Sequence, residues 1–124
     1  MNRVVLCIGS NLEPRHARVS ESIKKISFLL DAMRYSALYE TPEIHGIGRP
    51  YVNVVVAGNC PLDLDNLNAQ CKRLEEEAGR TPEARSRGDV PVDIDIVIWN
   101  GEVVRPNDAR QHFFRIGAAQ LGLV

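Results

Sequence analysis

The segment from Val92 to Trp99 constrains the fold more than any other part of the chain. Every second residue in it is branched and apolar, and these residues are Val92, Ile94, Ile96 and Ile98. Because side chains alternate between the two faces of a strand, these residues share one face, and the other face carries Asp93, Asp95, Val97 and Trp99. The pattern predicts a strand whose sheet is covered by apolar packing on one face and open to polar side chains on the other.

Two amphipathic helices are predicted to supply the apolar cover. One stripe consists of Val19, Ile23, Ile26 and Leu30, and the other of Leu64, Leu67, Cys71, Leu74 and Ala78. Both stripes repeat every three or four residues, which is the spacing of one helix face. Pro14 suits an early position of the first helix, Asp63 is a good N-cap for the second, and Gly79 ends the second.

Three more strands complete the predicted order. They are Val4 to Ile8, Tyr35 to Tyr39, and Tyr51 to Ala57, and a short fifth strand at 102–104 follows the Asn100-Gly101 turn. The order β-α-β-β-α-β predicts an α+β, ferredoxin-like fold, with an antiparallel sheet and both helices on one face. The other face is expected to stay free for loops and a site.

Length, charge and cysteine content narrow the classes of function. The chain has 124 residues, which predicts a single domain over 1–124, and its net charge of −1 gives no reason to expect binding to nucleic acid or to a membrane. The three cysteines show no CxxC spacing, so we expect free thiols in the cytoplasm. The run from Val4 to Ile8 is too short for a transmembrane helix.

Asp93 and Asp95 are the strongest chemical signal. Side chains two apart on one strand face lie roughly 6–7 Å from each other at the backbone. Two carboxylates at that spacing repel each other unless a cation joins them, and Mg²⁺ typically takes one or two carboxylates together with substrate phosphates. Two solvated aspartates at a sheet edge are the alternative.

Neighbouring segments carry further polar residues. Tyr51 and Asn53 are predicted on the open face, where a ring and an amide can stack on and hydrogen-bond a flat polar heterocycle. Arg80, Arg85 and Arg87 precede the acidic strand, and arginine is the natural partner of phosphate oxygens. A surface tyrosine, a turn-side asparagine and a solvated basic loop are the alternatives.

Five short motifs, in register from about residue 4 to residue 104, resemble the 6-hydroxymethyl-7,8-dihydropterin pyrophosphokinase family. They are Ile8-Gly9-Ser10-Asn11, Tyr39-Glu40-Thr41-Pro42, Tyr51-x-Asn53, Glu75 with Gly79-Arg80, and Asp93-Ile94-Asp95-Ile96. The resemblance implies a ferredoxin-like fold. It also implies transfer of pyrophosphate from ATP to the pterin hydroxymethyl group in folate biosynthesis, with AMP leaving and two Mg²⁺ ions taking part.

The resemblance also implies a role for individual positions. Asp93 and Asp95 would bind both Mg²⁺ ions, and Glu75 would lie at the nucleotide site. Arg80 would belong to the catalytic loop. Arg85 and Arg87 are the further catalytic candidates, because either could substitute for a loop arginine that the family has and this chain lacks. The pterin slot would consist of Thr41, Pro42, Ile44, Tyr51 and Asn53.

The chain departs from the family pattern at several positions. Val90 and Pro82 stand where the family has arginines, Arg87 stands at a tryptophan position, and no His-Pro follows Glu102. The tail is the segment from Arg105 to Val124. In it, Phe113 or Phe114 is a candidate for stacking on the pterin, and Arg110 or Arg115 is a candidate for contacting phosphate.

Three hypotheses follow. The first is a pyrophosphokinase, active or weakened. The second is a relative that keeps a pterin or nucleotide pocket without efficient transfer. The third is a ferredoxin-like interaction module, against which the retained aspartates, Thr41, Tyr51 and Asn53 argue, and the oligomeric state stays open.

Overall fold

The computed structural model describes residues 1–124 and contains six strands and five helices. The strands are β1 (Asn2–Ser10), β2 (Asp31–Tyr35), β3 (Tyr39–Thr41), β4 (Tyr51–Cys60), β5 (Asp93–Trp99) and β6 (Glu102–Val103). The helices are α1 (Arg15–Ile26), α2 (Leu64–Glu77), α3 (Pro82–Ser86), α4 (Pro106–Ala109) and α5 (His112–Gln120). No helix combines the length and the apolar composition that spanning a bilayer requires.

The strands form one antiparallel sheet in the order β2-β4-β1-β5-β6, and β3 also pairs with β4. β1 therefore lies between β4 and β5, and α1 and α2 pack against the same face of the sheet. The α+β, ferredoxin-like prediction is confirmed. The predicted short fifth strand is β6, and Asp63 caps α2 by accepting a 2.8 Å hydrogen bond from the backbone N–H of Asn66.

The helix-covered face is built from alternating apolar residues of the three central strands. Its buried strand residues are Val4, Leu6, Ile8, Val52, Val54, Val56, Cys60, Ile94 and Ile96, and the helices add Val19, Ile23, Ile26, Leu67 and Cys71. Burying one large apolar side chain stabilises the fold by about 1.5–3 kcal/mol. This packing holds the faces of β4, and of β5 from Asp93 to Val97, as predicted, and it turns Asn53, Asp93 and Asp95 to the opposite face.

Two strand predictions need correction, and a β-bulge explains the first of them. Ile98 packs on the second face and Trp99 on the helix-covered face, the reverse of the expectation, because the pairing with β1 gains an extra residue at Val97. The predicted strand from Tyr35 to Tyr39 is interrupted, and the hydroxyl of Ser36 in the gap accepts a hydrogen bond from the Val55 N–H at 3.0 Å.

The tail is the largest departure from the expected fold. The second face was expected to be free, but α5 covers part of it by packing Phe114 and Ala118 against residues of β1, β4 and β5. The strand residues of this second core are Val5, Cys7, Val55, Ala57 and Val97. The loop expected between 80 and 91 also contains a helix, α3, which Thr81 caps.

Gly117 allows α5 to approach the sheet closely. A Cβ atom at this position would lie 2.6 Å from Val55 Cγ2 and 2.8 Å from the Tyr39 hydroxyl oxygen. That hydroxyl donates a hydrogen bond to the Phe113 carbonyl and accepts one from the Gly117 N–H at 3.1 Å. Tyr39 thus links β3 to the middle of α5 through two backbone groups that are four residues apart.

We predict that Gly117→Ala destabilises the protein, although alanine normally stabilises a helix interior by about 0.8–1 kcal/mol relative to glycine. The added methyl group would force α5 away from Val55, at a cost of about 1–3 kcal/mol in the free energy of unfolding. Urea unfolding measures the change. Arg115→Ala, at an exposed position of the same helix, is the control and should change stability little. Stability of Gly117→Ala equal to or above that of the wild type would contradict the packing described.

Candidate active site

The strand register places polar residues of three strands in one row. Asp93 of β5 pairs with Gly9 of β1, and Gly9 pairs with Asn53 of β4. Because the central residue is glycine, no side chain stands between the carboxylate and the amide. A Cβ atom on Gly9 would lie 3.0 Å from Asn53 Oδ1 and 3.5 Å from Tyr51 Cδ2, so the row forms a flat floor that any larger residue would fill.

A cavity of about 250 Å³ lies over this floor. Its walls include all five residues predicted for the pterin slot, which are Thr41, Pro42, Ile44, Tyr51 and Asn53. Phe113 forms part of another wall, whereas Phe114 is buried in the second core. We call this space the small cavity.

Asn53 is held in place within the small cavity. Its side chain is buried, and its Nδ2 donates a 2.7 Å hydrogen bond to Thr41 Oγ1. That bond orients the carboxamide, whose oxygen lies beside Gly9. An oriented amide next to the Tyr51 ring can recognise the edge of a flat, polar ring.

A second cavity, of about 750 Å³, lies between α2 and β5, and we call it the large cavity. Its lining is mainly polar and includes Lys72, Glu75, Arg80 and Arg85. Three of the predicted residues, Glu75, Arg80 and Arg85, are thus brought together. Arg87 is not: it lines neither cavity, is exposed, and donates from Nε to Asp89 Oδ2 at 3.0 Å.

Asp93 and Asp95 line both cavities and so mark the border between them. Arg80 Nη1 lies 2.6 Å from Asp93 Oδ1 and 3.1 Å from Glu75 Oε2. Glu75 Oε2 also accepts the backbone N–H of Ile94 at 2.8 Å. Glu75 therefore fastens α2 to the strand that carries both aspartates and holds Arg80 beside one of them.

The two aspartates differ in pKa. Burial and the neighbouring Asp93 carboxyl raise the pKa of Asp95 to about 8. Burial alone would also raise the pKa of Asp93, but hydrogen bonds from Asp95 and Arg80 outweigh it and lower that pKa below its ordinary value. The pair thus carries more negative charge than the surrounding protein neutralises once both carboxyls are ionised.

Oxygen is the only donor type that the aspartate pair offers to a cation. No group of three or more His, Cys, Asp or Glu side chains is placed to hold a metal ion. The protein therefore contributes two carboxylates here, which is a set that suits a hard cation completed by ligand oxygens and water.

Asn11 anchors the loop that leads to the aspartates. Its side chain accepts the Val90 N–H at 2.6 Å and donates to the Gly88 carbonyl at 2.9 Å, and its backbone N–H donates to the Val90 carbonyl at 3.1 Å. The same contacts hold uncharged Val90 next to the end of β1.

Arg105 and Asp108 were not predicted from the sequence. Arg105 lines both cavities, and its Nη2 lies 3.7 Å from Asp95 Oδ1. The tail arginines that were considered do not reach the cavities, since Arg110 bonds Asn107 and Arg115 is exposed. The sequence offered one signal for Arg105, which is its position directly before Pro106 and just after the last strand. That signal does not show that Arg105 lies near the aspartates, because its position there depends on how α4 packs.

Comparison with known proteins points to one family. The model of the family described as 7,8-dihydro-6-hydroxymethylpterin-pyrophosphokinase matches residues 5–121. A 2-amino-4-hydroxy-6-hydroxymethyldihydropteridine pyrophosphokinase of Aquifex aeolicus is 30% identical over 85% of this chain and 66% of that protein. Its Porphyromonas gingivalis counterpart is 33% identical over 77% of this chain and 67% of that protein.

A further relative is much longer than this chain. The folate synthesis bifunctional protein of Arabidopsis thaliana is 30% identical over 77% of this chain and 20% of that protein. The chain thus spans about two thirds of the two bacterial pyrophosphokinases and a fifth of the plant protein. With a family match over nearly all of its length, the chain belongs to the 7,8-dihydro-6-hydroxymethylpterin-pyrophosphokinase family.

Proposed function

We propose that the chain transfers pyrophosphate from ATP to 6-hydroxymethyl-7,8-dihydropterin in folate biosynthesis. The observation that carries this proposal is that two cavities of different size and chemistry meet at Asp93 and Asp95. Group transfer requires two substrates whose reacting atoms are held next to each other. A border formed by paired carboxylates suits transfer of a phosphate group, which depends on neutralised charge and positioning.

The small cavity is proposed to bind the pterin. Its Gly9 floor is flat, the rings of Tyr51 and Phe113 line it, and the Asn53 amide is fixed by Thr41. Thr41, Pro42, Ile44, Tyr51 and Asn53 are the proposed pterin contacts. A pterin with its ring edge at Asn53 would have its hydroxymethyl group free to point toward the aspartates.

The large cavity is proposed to bind ATP. Lys72, Arg80 and Arg85 place positive charge in it beside the aspartates, and guanidinium groups bind phosphate oxygens well. Glu75 acts here through Arg80, which it holds at 3.1 Å. Arg80 and Arg85 are the proposed catalytic arginines of the loop, while Arg87 would need to leave Asp89 to join them.

Asp93 and Asp95 are proposed to hold two Mg²⁺ ions together with the phosphates of ATP, and the family in general uses ATP and Mg²⁺. The donors fit, because carboxylate oxygens are the hard ligands that Mg²⁺ prefers. Burial and repulsion between the two carboxylates raise the pKa of Asp95, and a divalent cation would reduce that repulsion. Bound Mg²⁺ supplies charge neutralisation at the transferred phosphates. The residues of the chain orient both substrates across the border between the cavities.

In the proposed reaction, the pterin hydroxyl oxygen forms a bond to the β-phosphorus, and the bond from that phosphorus to the AMP oxygen breaks. The hydroxyl proton is lost to water. We place this chemistry in the cytoplasm, since three buried, unpaired cysteines suit a reducing compartment. The proposed partners are these small molecules, with neither nucleic acid nor membrane involved.

A second candidate is a relative that binds pterin or nucleotide without efficient transfer. Its specific support is the loop before β5, where Val90 is uncharged and Arg87 is paired with Asp89. The loop then brings only Arg80 and Arg85 to the large cavity, which would neutralise the transferred group less than additional arginines would.

We expect AMP to form from ATP, Mg²⁺ and 6-hydroxymethyl-7,8-dihydropterin, and to depend on the pterin. Asp95→Ala should lower kcat by roughly a thousand-fold or more, the size of effect that a single charged group has in phosphoryl transfer. Asp31→Ala, at an exposed position of β2, is the control and should retain activity. Absence of AMP from folded wild-type protein that still binds both substrates would favour the second candidate.

We also predict that stabilisation by Mg²⁺ grows with pH. The pKa of Asp95 is raised from 3.8 to about 8 in the folded state, so between those values the folded chain holds a proton that the unfolded chain has lost. Without Mg²⁺, this group therefore makes the protein less stable as pH rises through that window, by up to about 1.4 kcal/mol per pH unit.

Thermal unfolding of wild type and Asp95→Asn with and without Mg²⁺ tests this prediction. Mg²⁺ must displace the Asp95 proton, so its effect on the wild-type Tm should be larger at about pH 8 than at about pH 6. In Asp95→Asn the Mg²⁺ effect should be small at both values. A wild-type shift that is independent of pH would show that Mg²⁺ binds elsewhere.

A further inference from the structure

Arg105 occupies a unique place among the basic residues of the site. The small and large cavities share three lining residues, which are Asp93, Asp95 and Arg105. Two of these are acids, so Arg105 is the basic residue that faces both cavities. Arg105 therefore lies at the border where the two cavities meet.

Asp108 fixes the direction in which Arg105 points. Arg105 Nε lies 2.5 Å from Asp108 Oδ2, three residues further along in α4. With Nε engaged, the terminal nitrogens remain available, and Nη2 lies 3.7 Å from Asp95 Oδ1. The distance to Asp95 leaves that end of the guanidinium free to accept a closer anionic partner.

The other cations near the border are engaged elsewhere or lie to one side. Arg80 is held by Asp93 and Glu75, and it lines the large cavity but not the small one. Arg85 also lines only the large cavity. Arg87 and Arg49 both pair with Asp89, outside the two cavities. Arg105 is therefore the cation best placed to contact a group in transit.

We propose that Arg105 is a catalytic residue that contacts the transferred pyrophosphoryl group, and that Asp108 is its positioning residue. The proposal rests on the proposed function. As the pterin oxygen bonds to the β-phosphorus, the bond to the AMP oxygen breaks, AMP takes the electron pair, and the hydroxyl proton passes to water. Arg105 keeps its protons and stabilises the negative charge on the phosphate oxygens.

Arg105→Ala should lower kcat by roughly a hundred- to a thousand-fold, with the KM for the pterin changed by less than about five-fold. Guanidinium ion added to the assay should restore part of the lost rate, because it can occupy the vacated position. Arg105→Lys keeps the charge but loses the fork of donors, so its kcat should lie between those of the wild type and Arg105→Ala. Arg110→Ala, in the same tail segment but bonded to Asn107, is the matched control and should keep wild-type kcat.

Asp108→Asn should lower kcat by roughly ten-fold, since the amide orients Arg105 less firmly. The same substitution should cost almost nothing further in an Arg105→Ala background, because Asp108 acts through Arg105. A purely structural role of Asp108 would instead lower kcat equally in both backgrounds.

Failure of this inference can be told apart from failure of the proposed function. If the wild type forms AMP and Arg105→Ala is as active as Arg110→Ala, Arg105 has no catalytic role and the proposed function stands. If the wild type forms no AMP, calorimetric titration with inorganic pyrophosphate and Mg²⁺ decides the phosphate contact. Weaker binding by Arg105→Ala than by Arg110→Ala supports the contact, and equal binding overturns it.

Discussion

Two carboxylates on one face of β5 cannot both carry charge in a half-buried position unless cations surround them. Asp93 meets this condition through Arg80, whose guanidinium is 2.6 Å away, whereas Asp95 has only the more distant Arg105. Burial of the pair therefore raises the pKa of Asp95. Two helices position this positive charge, since Glu75 of α2 holds Arg80 and Asp108 of α4 holds Arg105.

The tail connects this electrostatic centre to the stability of the fold. α5 lies on the second face of the sheet because Gly117 permits close contact with Val55, and the Tyr39 hydroxyl joins the helix to β3. The same helix places Phe113 in the wall of the small cavity. Changes that loosen α5 are thus expected to weaken both the second core and the proposed pterin site.

Much of the site could be predicted because it depends on local periodicity. Strand alternation alone placed Asn53, Asp93 and Asp95 on the face away from the two predicted helices, and the bulge at Val97 lies beyond the aspartates and does not disturb them. The row through Gly9 was not predictable, since pairing register is set by contacts between distant segments.

The tail was harder to predict for a different physical reason. The buried face of α5 consists of Phe114, Gly117 and Ala118, and two of these residues are too small to form a recognisable apolar stripe. Without α4 and α5 there was no means of choosing between Phe113 and Phe114, or of finding Arg105. Arg87 illustrates the converse case, because its place in the basic loop suggested a phosphate contact, while Asp89 holds it away.

The central claim is that Asp93 and Asp95 form the border across which two substrates meet. A crystal structure of the protein with 6-hydroxymethylpterin, a non-hydrolysable ATP analogue and Mg²⁺ tests it most directly. We expect the pterin over Gly9 beside Asn53, the phosphates in the large cavity, and Mg²⁺ on both aspartates. Phosphates and metal bound away from the aspartates, or a pterin outside the small cavity, would contradict the claim.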